Sequence, residues 1–262
     1  MSCHFDVTKM SFSDKVILIT GASSGIGADA ARHLANLGGK VALVGRNEKR
    51  LNDVADQIKA AGSPTPLIIV ADVTTDSNRI INETIQHFGQ LNILINNAGI
   101  LTQNNIETID LADYDRTMDT NVRSVIALTK LAVPHLEKSK GNILNVSSAA
   151  GLRAKPNVLA YCISKSAISM FTKCAALDLA PKGIRVNAIN PVAIRTPIFE
   201  TAGYVTGNRN EFFDSFKHIY PVGRVGEVSD TSYAIQFLVA DSASFFTGVL
   251  LPVDGGALTA GK

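Results

Sequence analysis

Lys15-Val16-Ile17-Leu18-Ile19-Thr20-Gly21-Ala22-Ser23-Ser24-Gly25-Ile26-Gly27 is the stretch that decides the fold. Its first half is a short continuous apolar run, the pattern of a strand buried on both faces of a parallel sheet. Its second half is a turn with glycines at 21, 25 and 27. Glycine is needed where the chain turns with positive φ, or where the backbone must approach another group closely. From Gly25 to Leu37 the apolar spacing becomes helical, and it closes at Gly38-Gly39. A strand, a glycine turn and the free N–H groups of a helix start together make an anion site, of the kind that suits a pyrophosphate. The alternative is a tight strand–helix turn with no ligand.

The same alternation continues along the chain. Lys40 to Val44 reads as a second strand and Glu48 to Ala61 as a second helix, stopped by Gly62 and Pro64. Further strands are expected over Leu67 to Ala71, Leu91 to Ile95, Asn142 to Val146, Ile184 to Ile189 and Val249 to Val253. Helices are expected over Ser77 to Phe88, Leu111 to Glu137, Val158 to Ala180 and Val228 to Ala240, with Pro134 a kink or break in the long second one. Strands alternating with helices require right-handed crossovers and a parallel sheet covered on both faces. No linker, repeat or low-complexity tract interrupts the pattern, so residues 1–262 read as one α/β domain. In such sheets ligands bind at the carboxyl ends of the strands.

Composition narrows the classes of function. The 262 residues are 46% hydrophobic, enough for a substantial core, and carry a formal charge of +2. That balance gives no basic field for nucleic acid or a membrane surface. No apolar run approaches the ~18 residues of a membrane span. Met1 to Asp14 mixes His4, Asp6, Lys9 and Asp14 without an apolar segment, so neither a secretory signal nor a transit peptide is expected. Ala260-Gly261-Lys262 matches no peroxisomal or retention address. Cys3, Cys162 and Cys174 are odd in number and widely spaced, without metal-like pairing. Reduced thiols in the cytoplasm, and no metal site, are the expectation.

The residues that carry chemistry lie in the second half. Tyr161 and Lys165 stand four apart in Tyr161-Cys162-Ile163-Ser164-Lys165 and share one face of the expected helix. A phenol beside an ammonium is a proton-transfer pair, and the charge is expected to lower the phenol pKa from about 10 towards the working range. Ser148 follows the strand-like run Asn142 to Val146, where its hydroxyl could face the same space and polarise a carbonyl oxygen. Tyr–Lys pairs at this spacing also occur on helices with no chemistry to perform. Cys162 is adjacent to Tyr161, but consecutive helix residues point in different directions.

Thr20-Gly21-Ala22-Ser23-Ser24-Gly25-Ile26-Gly27, Asn96-Asn97-Ala98-Gly99, and Ser148 followed by Tyr161-Cys162-Ile163-Ser164-Lys165 together resemble the short-chain dehydrogenase/reductase family, over about Lys15 to Gly256. The resemblance implies a Rossmann-like doubly wound domain: a seven-stranded parallel sheet with helices on both faces. It implies an oxidoreductase whose catalytic set is Asn121, Ser148, Tyr161 and Lys165, with Ser147 the less suited hydroxyl on family spacing. In that scheme hydride passes between a nicotinamide and a carbonyl carbon while Tyr161 supplies the proton and Ser148 bonds the oxygen. Lys165 would hold the ribose hydroxyls, and Asn121 would bind, through its backbone, a water linking Lys165 to solvent.

The implied cofactor set begins with Gly21, Ser23, Ser24, Gly25, Ile26 and Gly27 at the phosphates. Asp72 and Val73 would meet the adenine, although Asp72 in Asp72-Val73-Thr74-Thr75-Asp76 also suits helix N-terminal chemistry. Asn97, Ala98 and Gly99 would pass beside the ribose, with Asn97 tying neighbouring strands together. Tyr161, Lys165, Pro191, Ile194 and Thr196 would surround the nicotinamide. NAD-binding relatives usually place an acid at the end of the second strand. Gly45 and Arg46 stand there instead, which implies NADP(H), with Arg46 on the 2′-phosphate. NAD(H), with Arg46 merely exposed, stays open. Two positions depart from the family: Ser24, where many NADP-dependent relatives carry a base, and Val192, where glycine is usual. Valine disfavours positive φ.

Residues 192–221 read as a substrate lid with short helices. Phe199, Tyr204, Phe212, Phe213, Phe216 and Tyr220 favour a hydrophobic small-molecule carbonyl substrate, such as a steroid, a fatty-acyl or another ketone. The same aromatics could instead be core or subunit-contact residues. Arg153 or Lys155 could meet an acidic substrate. By resemblance, a homotetramer or homodimer joined through the two long helices is expected. An NAD-linked alcohol dehydrogenase and a nucleotide-binding regulator without turnover are the competing functions.

Overall fold

Seven short apolar runs build one parallel sheet in the computed structural model, which describes residues 11–261. Cys3, the first ten residues and Lys262 lie outside the described residues. The strands are β1 (Val16–Thr20), β2 (Lys40–Gly45), β3 (Leu67–Val70), β4 (Ile93–Asn96), β5 (Asn142–Val146), β6 (Arg185–Pro191) and β7 (Leu250–Val253). Their spatial order is β3-β2-β1-β4-β5-β6-β7, a Rossmann-like doubly wound arrangement. Order reverses between β1 and β4, where Ile17, Leu18 and Ile19 pair with Ile93, Leu94 and Ile95. A crevice opens at the carboxyl ends of strands that diverge in this way.

The helices are α1 (Gly25–Asn36), α2 (Glu48–Ala60), α3 (Ser77–Phe88), α4 (Leu111–Met118), α5 (Ser124–Ser139), α6 (Leu159–Leu179), α7 (Ile198–Thr201), α8 (Arg209–Asp214) and α9 (Val228–Val239). The two-residue period of β1 divides its side chains between two cores. Ile17 and Ile19 join the cluster under α1, α2 and α9, while Val16 and Leu18 join the one under α3, α5 and α6. Each fully buried Ile or Leu stabilises by about 1.5–3 kcal/mol relative to exposure, so both faces are strongly held. No helix among the described residues is long and apolar enough to cross a membrane.

The long helix expected over Leu111 to Glu137 differs in an instructive way. Pro134 does not end it: α5 runs through the proline to Ser139. A proline removes one N–H and crowds the carbonyl four residues back. Here that carbonyl belongs to Lys130 on an exposed face, within reach of water. The interruption lies earlier, where Asp119–Arg123 forms a π turn between α4 and α5, with Ser124 N–H bonded to Asp119 O. Asn121 is inside that widened turn and buried. Single π turns of this kind concentrate at functional sites.

Candidate active site

β1 delivers the glycine turn to the crevice. Gly21 has φ of 66°, and a Cβ on it would lie 2.8 Å from Asn97 Nδ2 and 2.9 Å from Ala98 Cα. Gly27 also faces Asn97, and a Cβ there would lie 2.5 Å from Gly21 O. The turn from β1 and the segment after β4 therefore close on each other with no room for side chains. Asn97 locks them: its Nδ2 donates to Thr20 O at 2.8 Å and to Gly21 O at 3.2 Å, and its N–H donates to Thr20 Oγ1 at 3.0 Å. This is the strand-tying contact expected of Asn97. Above it, α1 begins at Gly25 with no side-chain cap from Ser24 and no acid in its first turn. Its first N–H groups and positive dipole end therefore lack an anionic or capping partner from the protein's side chains. An uncapped helix start over a cradle that a Cβ would fill fits the phosphates of a dinucleotide.

At the far edge of the crevice, Arg46 follows Gly45. Its Nη1 lies 3.6 Å from Asp72 Oδ2, and its side chain is 75% exposed. Asp72 Oδ1 accepts the Thr74 N–H at 2.9 Å and the Thr74 hydroxyl at 2.7 Å, which closes a turn ahead of α3 and does not cap that helix, whose capping position is Asp76. Burial works to raise the Asp72 pKa, but the Thr74 bonds and the Arg46 guanidinium outweigh it and hold it below the usual value.

The proton-transfer residues converge from three elements. Ser148 closes β5; its Oγ accepts from Ala150 N–H at 3.1 Å and donates to Pro191 O at 3.3 Å. Ser147 is turned away, bonding Lys165 O at 2.9 Å and Ser169 Oγ at 3.0 Å. Tyr161 and Lys165 share one face of α6, with Lys165 Nζ 5.6 Å from the Tyr161 ring centroid. Lys165 is 5% exposed and donates to Val146 O at 2.8 Å. The expectation of a lowered Tyr161 pKa is corrected here. Burial pushes the phenol up to about 12, against the pull of the facing Ser148 hydroxyl. Burial also drops Lys165 to about 8. Desolvation dominates at both groups.

Asn121 stands behind this cluster. It is 1% exposed, and its Nδ2 donates to Ser164 Oγ at 3.0 Å and to Ile100 O at 2.9 Å. A Cβ on Gly99 would lie 3.2 Å from Asn121 Oδ1 and 3.5 Å from Lys165 Nζ, so Gly99 lets the three segments meet.

One cavity of about 970 Å³ joins these parts. Of the catalytic and cofactor-binding residues expected from the sequence, all but Gly27 and Asn121 line it; those two pack against lining residues, Gly27 against Gly21 and Asn97 and Asn121 against Ile100. Val192 causes no distortion, since Lys140 and Asn157 are the non-glycine residues with positive φ among those described. Val192 N–H instead extends the sheet to Val253 O at 3.3 Å. The segment expected to be a lid does hold two short helices, α7 and α8. Its aromatics divide between core and cavity wall. Phe213 is fully buried in a small core with Phe199, Phe212 and Phe216 packed against it, while Phe199, Tyr204 and Phe216 also face the cavity. Arg195 fastens this core, pairing with Asp214 at 2.8 Å and Glu227 at 3.0 Å.

Sequence reasoning missed Arg50, which lines the cavity from the first turn of α2, and the Ile100–Leu101–Thr102 wall. The basic run Lys49-Arg50 was a visible signal for the first. The second has no local signature. Among the described cysteines, Cys162 is partly buried and Cys174 exposed, and both are free.

A cavity that runs from an uncapped helix start to a partly buried phenol is what a dinucleotide-dependent oxidoreductase requires. A family model described as enoyl-(acyl carrier protein) reductase matches residues 21–258. L-xylulose reductase of Caenorhabditis elegans is 36% identical over 247 residues, 94% of this chain and 96% of that protein. A C. elegans short-chain dehydrogenase/reductase of unknown function, solved with cofactor, superposes with a TM-score of 0.91 at 34% identity, over 95% of this chain and 96% of that one. The 3-ketoacyl-(acyl-carrier-protein) reductase of Brucella melitensis, solved with NADH, gives 0.86 at 35% identity, over 94% and 99%. The chain belongs to the short-chain dehydrogenase/reductase family, oxidoreductases that use nicotinamide cofactors.

Proposed function

We propose that this chain is an NADP(H)-dependent carbonyl reductase or alcohol dehydrogenase, one domain that acts on a hydrophobic substrate. The observation that carries the proposal is the single cavity of about 970 Å³ linking the uncapped start of α1 to Ser148, Tyr161 and Lys165. Gly21, Ser23, Ser24, Gly25 and Ile26 would hold the phosphates; Lys165 would hold the nicotinamide ribose; Pro191, Ile194 and Thr196 would border the nicotinamide. Bound there, a reduced nicotinamide supplies hydride to a carbonyl carbon. Tyr161 keeps its proton at neutral pH and gives it to the carbonyl oxygen. Ser148 turns its hydroxyl from Pro191 O to the same oxygen, where negative charge develops. Lys165 favours the phenolate that remains. The apolar side chains of Phe199, Tyr204 and Phe216 support a hydrophobic substrate.

The absence of a carboxylate after Gly45, with Arg46 and Arg50 on the rim, supports NADP(H). The Arg46–Asp72 pair is exposed and weak, so a 2′-phosphate could replace it. NAD(H) is the second reading, favoured by the NADH in the Brucella reductase and by the exposure of Arg46. A cytoplasmic homotetramer or homodimer goes with the proposal; exposed Ile126 on α5 and Met170 and Leu177 on α6 support it, and light scattering would test it.

The deciding experiment is turnover with NADPH and NADH over steroid, fatty-acyl and aromatic ketones, with a ketose included because one relative is named for L-xylulose. NADPH should be preferred by about tenfold or more in kcat/KM, the size of one charge-assisted bond. Tyr161→Phe should lose at least ~100-fold in turnover yet still bind NADPH. Preference for NADH would overturn the cofactor assignment. Nucleotide binding without any turnover would favour a regulator.

A further inference from the structure

Helix α6 carries Tyr161 as its third residue, yet nothing local caps its start. Val158, in the capping position, has no acceptor on its side chain. Asn157 before it is in the left-handed region, at φ of 60°. The cap comes from 56 residues upstream. Asn104 Oδ1 accepts the Ala160 N–H at 3.0 Å. Asn104 O accepts the Leu159 N–H at 3.1 Å, and Asn104 N–H donates to Asn157 O at 3.0 Å. One residue thus satisfies two of the four N–H groups that a helix start leaves open.

Asn104 is itself fixed, being 5% exposed. Its Nδ2 donates to Thr102 Oγ1 at 3.1 Å. Thr102 lies 3.2 Å from Thr117 Oγ1, whose own proton goes to Asp113 O at 2.8 Å. Thr102 is therefore the donor to Thr117, and the bonds run one way from Asn104 into α4. Asn104 also ends the segment whose Ile100, Leu101 and Thr102 form a cavity wall.

We propose that Asn104 is a positioning residue for Tyr161, holding the first turn of α6 against the cavity wall so that the phenol meets the substrate carbonyl. The proposal rests on the assignment of Tyr161 as proton donor. Removing the cap frays the turn that carries Tyr161 without touching the α1 end of the cavity.

The test compares Asn104→Ala with Asn104→Asp, which keeps an oxygen for the Ala160 N–H. Hydrogen exchange over residues 158–165, NADPH affinity by fluorescence and steady-state kinetics are read on both. Asn104→Ala should speed exchange in that peptide about fivefold, the size of one lost cap, and leave exchange in α1 unchanged. It should lower kcat by about ten- to a hundredfold, the scale of a misplaced catalytic group, with NADPH affinity retained. Asn104→Asp keeps the acceptor for Ala160 but not the donor to Thr102, so it should recover most, not all, of the exchange protection and of kcat. Unchanged exchange in Asn104→Ala, faster exchange with unchanged kcat, or failure of Asn104→Asp to recover would each overturn the proposal. Absence of any wild-type turnover would remove the Tyr161 assignment and this proposal with it. Wild-type turnover that Asn104→Ala leaves intact would remove this proposal alone.

Discussion

Asn121 grips the main chain of Ile100 at both of its polar groups. Its Oδ1 accepts the Ile100 N–H at 2.8 Å, and its Nδ2 donates to the Ile100 carbonyl at 2.9 Å. The side chain thus has a task of its own, fixing the segment after β4, apart from anything the backbone of the π turn does. Asn121→Ala should leave both Ile100 groups without these partners. The expected cost is about 1–3 kcal/mol of stability, with reduced turnover, measured by urea unfolding and NADPH-linked kinetics. Wild-type stability in the variant would leave the clamp without consequence.

Lys165 predicts a pH-dependent stability. Its pKa in the fold is about 8, against an ordinary 10.5, so the fold disfavours the charged form. Below pH 8 the protein bears that cost in full. As pH rises from about 8 towards 10.5, the native state has shed a proton that the unfolded chain still holds, and this group's contribution to stability improves. Tyr161 acts in the opposite sense: with its pKa raised to about 12, it costs stability as pH rises from 10 to 12. Lys165→Met should therefore have a higher Tm than wild type at pH 7, with a smaller gap at pH 9.5, and no turnover. Calorimetry at the two pH values checks this; a lower Tm for the variant at pH 7 would contradict it.

Arg46 tests the cofactor. Arg46→Ala should lower kcat/KM for NADPH by about ten- to a hundredfold, the loss of one bond to a charged group. It should leave NADH within about threefold, because the 2′-hydroxyl offers no charge to lose. Equal losses with both nucleotides would assign Arg46 a structural part instead.

Gly27 tests the close approach beneath the turn. A Cβ there would lie 2.5 Å from Gly21 O and press on the Asn97 amide. Neither neighbour can yield without disturbing the bonds from Asn97 to Thr20 and Gly21. Gly27→Ala should lose about 1–3 kcal/mol of stability, as overpacked positions do, together with nucleotide affinity. Thermal melts with and without NADPH separate the two effects; an unchanged shift on adding nucleotide would mean that the cradle had tolerated the methyl group.

Much of this protein is determined locally. The run Val16 to Thr20 must be a buried strand because consecutive apolar side chains need cover on both faces, and Gly21 must follow because its φ of 66° suits no other residue as well. Tyr161 and Lys165 share a face because helical geometry puts residues four apart in register. What sequence spacing does not carry is environment and distance. The rise in the Tyr161 pKa comes from desolvation by segments far along the chain. The π turn at Asn121, the passage of α5 through Pro134 and the approach of Arg46 to Asp72 are likewise settled by neighbours. Asn104 shows the division most clearly: as the first of two asparagines in a polar stretch it has no signature, and only the packing of the segment after β4 against α6 makes it the cap of the helix that bears Tyr161.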